Sequence, residues 1–193
     1  MRRRTLDALL TTGGLVLAAI LLIAGVLLTW GHVFVNNQVH DQLAAQKITM
    51  PAGDAIAEPT IKPYLSQYAG QQLTNGAQAE AYANHFIAVH LQGIGGGKTY
   101  AQLSAAAIAN PTDAKLAGQV ATVFKGETLR GMLLNAYAFW KLGQLALYGA
   151  IAAFVGAGIM LLLSLLGFAH LRKVDPEAEV LTGPAPRAKV ATA

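Results

Sequence analysis

Two long apolar blocks dominate the hydrophobic pattern of the chain. Neither the stretch from Ala8 to His40 nor that from Leu142 to Leu171 contains an Asp, Glu, Lys or Arg residue. About 20 apolar residues are enough for a helix to cross a bilayer. A single segment in lipid must be helical, because only a helix satisfies its own backbone hydrogen bonds. We therefore predict transmembrane helices over residues 8–31 and 141–171.

The first block also has one feature of a secretory signal peptide, the basic start Arg2–Arg4. The apolar run is longer than a signal peptide requires, and the sequence from Trp30 to Phe34 offers no small-x-small cleavage site. The pattern therefore favours an uncleaved span.

Basic and aromatic residues at the ends of the two blocks predict their orientation. Arg and Lys are enriched on cytoplasmic flanks, and Trp and Tyr are enriched at membrane interfaces. Bases precede the first block and follow the second, so both termini, residues 1–7 and a disordered tail over 172–193, are expected in the cytoplasm. We expect a multi-pass protein of the plasma membrane. The predicted interface anchors are Trp30, Trp140, Tyr148, Arg172 and Lys173.

The segment between the blocks, residues 32–140, has helical periodicity. Val35, Val39 and Leu43 recur every four residues and extend the first helix. Several prolines make residues 47–63 an irregular connection, and residues 77–92 resemble a helix. The expected fold is an all-α membrane protein, an antiparallel hairpin of two long transmembrane helices with a small helical extracytoplasmic domain.

Capping signals divide the second part of this segment. Thr99 and Gln102 have capping-box spacing, which predicts a helix from Tyr100 to about Ala109. Asn110 before Pro111 predicts the start of another helix, running to about Lys125. After Gly126 a third helix should run without a strong breaker into the second span.

The composition of the chain argues against several kinds of site and partner. Only 12% of the residues are charged and 54% are hydrophobic, so the chain departs from an average soluble domain. The absence of cysteine excludes disulfides, thiolate metal sites and a Cys nucleophile. The net charge of +4 resides mainly near the chain ends, which relates to membrane orientation and predicts no nucleic-acid partner.

The sequence from Gln92 to Thr99, QGIGGGKT, is similar to a phosphate-binding loop. That motif requires Gly five residues before the Gly-Lys pair and a preceding strand. Here Gln92 occupies the Gly position and the preceding pattern is helical. The segment is better interpreted as a helix connector capped by Thr99, with no bound nucleotide.

Four histidines are candidate metal ligands on the outer side: His32, His40, His85 and His90. The first two lie eight residues, roughly 12 Å, apart along a helix, too far for one ion. The second two differ in direction by about 140°. Histidines that donate to backbone carbonyls are the alternative, and we predict neither a metal nor another cofactor.

Small residues recur at four-residue spacing in both spans and permit close helix approach. They serve either the packing of the two spans on each other or association with a partner or a second copy. The candidate packing residues are Gly14, Ala18, Gly149, Ala153, Gly156 and Ala157.

Three blocks carry a resemblance: LLTWGHVFVNNQVHDQLAAQKI, QYAGQQLTNGAQAEAYANHFIAVHL and GETLRGMLLNAYAFW. They are similar to an uncharacterised family of actinobacterial membrane proteins with two transmembrane helices, and the likeness covers nearly the whole chain except the tail. Members are sometimes labelled aromatic ring-opening dioxygenase. That label implies non-haem iron held by two histidines and a carboxylate.

No catalytic spacing, such as G-x-S-x-G or H-E-x-x-H, occurs in the sequence. We therefore expect a non-enzymatic accessory or scaffold component of a cell-envelope assembly, with the lipid bilayer and a membrane-protein partner or a homo-oligomer as its contacts. The alternatives are an extracytoplasmic domain that binds a metal or cofactor, and a membrane sensor.

Overall fold

The computed structural model describes residues 2–175, and these residues form helices without a β-strand. The helices are α1 (Arg3–Ala45), α2 (Lys62–Leu65), α3 (Gly76–Tyr82), α4 (Ala88–Gly95), α5 (Tyr100–Ala109) and α6 (Ala114–Leu171). A π-helical turn, Ala83–Ile87, joins α3 to α4, and 3-10 turns cover Gly53–Ile56 and Ser66–Tyr68. The predicted disorder of the tail falls mainly on residues 176–193, outside the described range.

The chain divides into two compact units. Unit 1 contains the residues up to Thr29 and from Tyr148 onward, and unit 2 contains Trp30–Leu147. The two long helices, α1 and α6, contribute residues to both units. The predicted all-α class is confirmed for the described residues, as is the presence of two long apolar helices.

Unit 1 consists of the apolar parts of α1 and α6. Both helices are long and apolar enough to cross a membrane, and the most apolar 18-residue window of each has a mean hydropathy of 2.4. Only 17% of each window is buried, whereas the core helix of a soluble protein is mostly buried. The two apolar blocks of the sequence therefore have the exposure that a span in lipid requires.

Unit 2 has a core of large aliphatic side chains. The prediction that the first helix continues through Val39 and Leu43 is confirmed, because α1 reaches Ala45, and both side chains are buried in this core. The connection over 47–63 is irregular as predicted, apart from short helical turns. The largest fully buried side chains are Met50, Ile61, Leu65, Leu73 and Leu103.

The helix predicted over 77–92 is present and extends from Gly76 to Gly95 through the π-helical turn. Five of its buried residues recur every four positions: Ala79, Ala83, Ile87, Leu91 and Gly95. In a regular α-helix each such step drifts by about 40° around the axis. The π-helical turn contains one more residue than an α-helical turn, and this offsets most of the accumulated rotation. The buried residues before and after the turn therefore face the same core.

The capping box at Thr99 is confirmed. Its side chain accepts from the backbone N–H of Gln102, and Gln102 returns a contact to the N–H of Thr99, at the start of α5. The N-cap role predicted for Asn110 is wrong. Asn110 ends α5, where its Nδ2 donates to Ala106 O over 3.1 Å. Asp113 caps α6 instead, and its Oδ1 accepts from Leu116 N at 2.9 Å.

The predicted break at Gly126 is also wrong, because α6 runs through it without interruption. A Cβ atom at this position would collide with the side chain of Leu91. Gly126 therefore lets α4 approach α6 closely and does not end a helix.

Candidate functional site

The four candidate histidines have separate partners in unit 2. His32 Nδ1 lies 2.9 Å from Gly143 O, and His90 Nδ1 lies 2.8 Å from Phe86 O. His40 Nδ1 is 3.2 Å from Asp41 Oδ1. The His85 ring stacks on Tyr64, with 3.4 Å between ring centroids and 5° between planes. The alternative interpretation, histidine donating to a backbone carbonyl, therefore describes His32 and His90.

This arrangement does not fit the iron site that the family label implies. Such a site needs two histidines and a carboxylate directed at one point. Within residues 2–175, no three His, Asp or Glu side chains come together as a metal-binding group. No chemical step is therefore derived through a metal.

The small residues of the spans lie at close contacts inside unit 1. A Cβ atom at Gly14 would lie 2.7 Å from Ser164 Oγ, and one at Gly156 would lie 3.3 Å from Leu21 Cδ1. Gly149 has the same spacing to Leu28. Three of the alanines and glycines reach full or nearly full burial: Ala18, Ala153 and Ala157. These contacts join α1 to α6 within one chain.

The candidate interface anchors differ in exposure. Trp30, which stacks on Phe34, and Tyr148 are each more than 60% exposed. Trp140 instead packs against the core of unit 2, and its ring occupies the space that a side chain at Gly76 would need. Arg172 and Lys173 are exposed at the end of α6.

The backbone amides of the glycine-rich segment before α5 donate hydrogen bonds to nearby groups of the chain. The N–H of Gly96 donates to Gly93 O, that of Gly97 donates to Gln92 O, and that of Lys98 donates to Gly95 O. The N–H of Thr99 donates to Gln102 Oε1 at 2.9 Å. A phosphate-binding loop needs free amides directed at the ligand. The geometry therefore agrees with the connector interpretation.

The same segment nevertheless lines a cavity of about 210 Å³ in unit 2, which we call the polar cavity. Leu91 of α4 and Val123 of α6 contribute an apolar part of its wall. Charged and polar groups also line it: Gln92, Lys98, Glu127 and Arg130. Arg130 is not recognisable as part of this site from the sequence, since it is 32 residues from Lys98 and no local pattern connects the two.

Arg130 is held from two sides. Its Nη1 donates to Glu127 Oε2 at 3.2 Å, and its Nη2 donates to Asn84 Oδ1 at 3.1 Å. Asn84 lies in the π-helical turn and donates from Nδ2 to Glu80 Oε1 at 2.9 Å. The Arg130 Nε is buried without a hydrogen-bond partner. The wide turn thus supplies the residue that orients this guanidinium.

A second feature of unit 2 is apolar and exposed. A groove of about 370 Å³ is lined by α1 and α6 residues that include Phe34, Val39 and Phe139. Phe139 also belongs to an exposed uncharged face of α6, which we call the α6 stripe. Its members lie within about 100° around the helix: Phe124, Thr128, Gly131, Met132, Asn135 and Phe139.

Comparisons of the chain with protein-family models, with curated proteins and with solved structures gave no match.

Proposed function

We propose that this chain is a two-span protein of the plasma membrane and a non-enzymatic accessory or scaffold component of a cell-envelope assembly. Both termini are cytoplasmic in this proposal, and unit 2 projects outside. The bases at Arg2–Arg4 and Arg172–Lys173 support this orientation through the enrichment of Lys and Arg on the cytoplasmic side.

The contacts inside unit 1 support an antiparallel hairpin. Gly14 pairs with Ser164, Leu21 with Gly156, and Leu28 with Gly149. Positions that advance along α1 thus meet positions that retreat along α6, as two antiparallel helices require.

The observation that carries the scaffold proposal is the α6 stripe. Phe124, Met132 and Phe139 are 53%, 67% and 55% exposed. Charged residues flank the stripe on the same helix segment: Lys125 borders it beside Met132, and Arg130 lies on another face. A large exposed apolar patch on the surface of a soluble unit often marks a protein-binding site. The adjoining groove enlarges that patch, which suits a partner helix with apolar side chains.

Site-specific photocrosslinking in cells tests this proposal. A benzophenone amino acid at Met132 should give a defined crosslinked species, identified by mass spectrometry as another envelope protein or a second copy. The matched control is Thr122, which is exposed on another face of α6. Crosslinking that is equal at the two positions, or absent from both, would argue against a docking role for the stripe.

Membrane topology requires a separate experiment. Carbonate extraction should leave the protein in the membrane fraction, and a C-terminal reporter that is active only in the cytoplasm should be active. Release of the protein by carbonate would contradict the two-span proposal. An inactive C-terminal reporter would contradict the cytoplasmic position of the C-terminus.

A further inference from the structure

We propose that the polar cavity of unit 2 binds a small amphipathic carboxylate. This goes beyond the scaffold proposal and does not depend on it, because the cavity and the α6 stripe lie on different faces of α6.

The shape of the cavity sets the size of the ligand. Its volume of about 210 Å³ corresponds to roughly seven water molecules at about 30 Å³ each. Drug-sized ligands occupy larger pockets. Ala88, Leu91 and Val123 contribute apolar wall, so a short hydrocarbon chain or one ring would replace water there favourably.

The charges at the cavity select an anion. Lys98 and Arg130 supply two positive charges and Glu127 supplies one negative charge. Glu127 is already engaged with Arg130. Across residues 2–175, no hydrogen bond or ion pair engages the ammonium group of Lys98. The cavity therefore has one positive charge in excess, carried by the uncommitted ammonium group of Lys98.

The type of anion follows from which donors remain. The amides of Gly96, Gly97 and Lys98 are consumed by internal hydrogen bonds, so this segment does not offer the row of free amides that a phosphate group prefers. Lysine and arginine side chains remain, and their charge-assisted hydrogen bonds suit a carboxylate.

The guanidinium of Arg130 is also oriented in advance. Glu127 and Asn84 hold its two terminal nitrogens, so the ligand would not have to order this side chain. A group already fixed in its bound conformation loses less entropy on binding. The buried Nε without a partner leaves one further donor of Arg130 unsatisfied.

Ligand-observed NMR on the full-length protein in a neutral detergent tests the inference. Benzoate is the carboxylate probe, and benzamide is its uncharged counterpart of nearly the same shape. We expect benzoate to give saturation transfer from the protein and benzamide to give much less. Inorganic phosphate should not displace benzoate.

Two variants locate the binding. Lys98→Met should weaken benzoate binding by about tenfold, since it removes one charge-assisted hydrogen bond. Lys125→Met removes the same charge from the opposite side of α6, about 165° from the centre of the cavity-lining face, and should bind benzoate as the wild type does. Lys98 is exposed, so its replacement leaves the core of unit 2 intact.

Several results would overturn the inference. Benzoate and benzamide could bind equally, or neither could bind at millimolar concentration. Lys98→Met could bind benzoate like the wild type, or Lys125→Met could lose as much affinity. Displacement of benzoate by phosphate would show that a general anion site is present and that carboxylate recognition is wrong.

Discussion

Units 1 and 2 distribute apolar side chains in opposite ways. In unit 1 large residues such as Ile23 and Leu165 are more than 60% exposed, while small Ala18 and Ala157 are fully buried. In unit 2 large residues such as Leu65 and Met50 are buried. Without a hydrophobic driving force between helices, packing in lipid depends on small residues, whereas packing in water depends on burial of large ones. We infer that the two units are adapted to different solvents.

The largest expected effect comes from charge on the exposed face of unit 1. The pair Ile20→Arg and Ile23→Arg should cost about 5 to 7 kcal/mol of membrane insertion, because each central Arg costs about 2.5 to 3.5 kcal/mol. The matched pair Ile108→Arg and Met132→Arg lies on positions of unit 2 that are exposed to a somewhat greater extent. The measure is the carbonate-resistant fraction in isolated membranes.

The two pairs should differ sharply in that experiment. The unit 2 pair should remain in the membrane fraction, since exposed substitutions in water usually change stability by about 0.5 kcal/mol or less. Equal retention of both pairs would contradict the difference in solvent.

Replacement of a leucine by alanine should affect stability differently in the two units. Leu65→Ala should destabilise unit 2 by about 2 to 5 kcal/mol, because the side chain is fully buried and leaves a cavity. Leu162→Ala is the control, since Leu162 is 59% exposed in unit 1. Pulse proteolysis in detergent measures both. A larger loss for Leu162→Ala than for Leu65→Ala would break the comparison.

Enlargement of a small residue tests the packing of unit 1. Ala157→Leu should cost about 1 to 3 kcal/mol through overpacking, because Ala157 is fully buried. Ala152→Leu is matched in chemistry but lies on the exposed face and should be neutral. Thermal unfolding followed by size-exclusion chromatography compares them. If Ala152→Leu is the more damaging variant, the packing face has been placed on the wrong side of α6.

The smallest effect concerns Tyr82 in unit 2. Burial raises the pKa of its hydroxyl above the ordinary value of 10.0. The folded state therefore holds this proton more tightly than the unfolded state. The resulting stability is fully present below about pH 10 and is lost as the pH rises through the folded pKa.

Tyr82→Phe removes the titrating group. The free energy of unfolding of the wild type should fall more steeply above about pH 10 than that of the variant. Parallel pH profiles for the two proteins would refute the assignment.

Local signals predicted the helices that are determined locally. The box at Thr99 and Gln102 predicted the start of α5, and the four-residue spacing of Val39 and Leu43 predicted the extension of α1 beyond the first apolar block. Gly126 was misread because its role depends on Leu91, which is distant in sequence. A glycine that breaks a helix and a glycine that admits a neighbouring helix have the same local appearance.

The candidate site was less predictable for the same reason. The sequence drew attention to Lys98 through the glycine-rich segment, but the polar cavity also needs Arg130 on α6 and Asn84 on the π-helical turn. No pattern around either residue reveals that contact. The histidines, by contrast, were conspicuous in the sequence and have dispersed partners in the fold.

The π-helical turn Ala83–Ile87 makes unit 2 sensitive to the length of the chain at one place. Deletion of a single residue there would restore an ordinary α-helix and rotate everything beyond it by roughly 100°. Leu91 would then leave the position opposite Gly126, while Gly76 would still lie against Trp140. Unit 2 can therefore tolerate substitutions more readily than a deletion in this turn. A deletion would require new packing for all the core residues that follow the turn on the same helix.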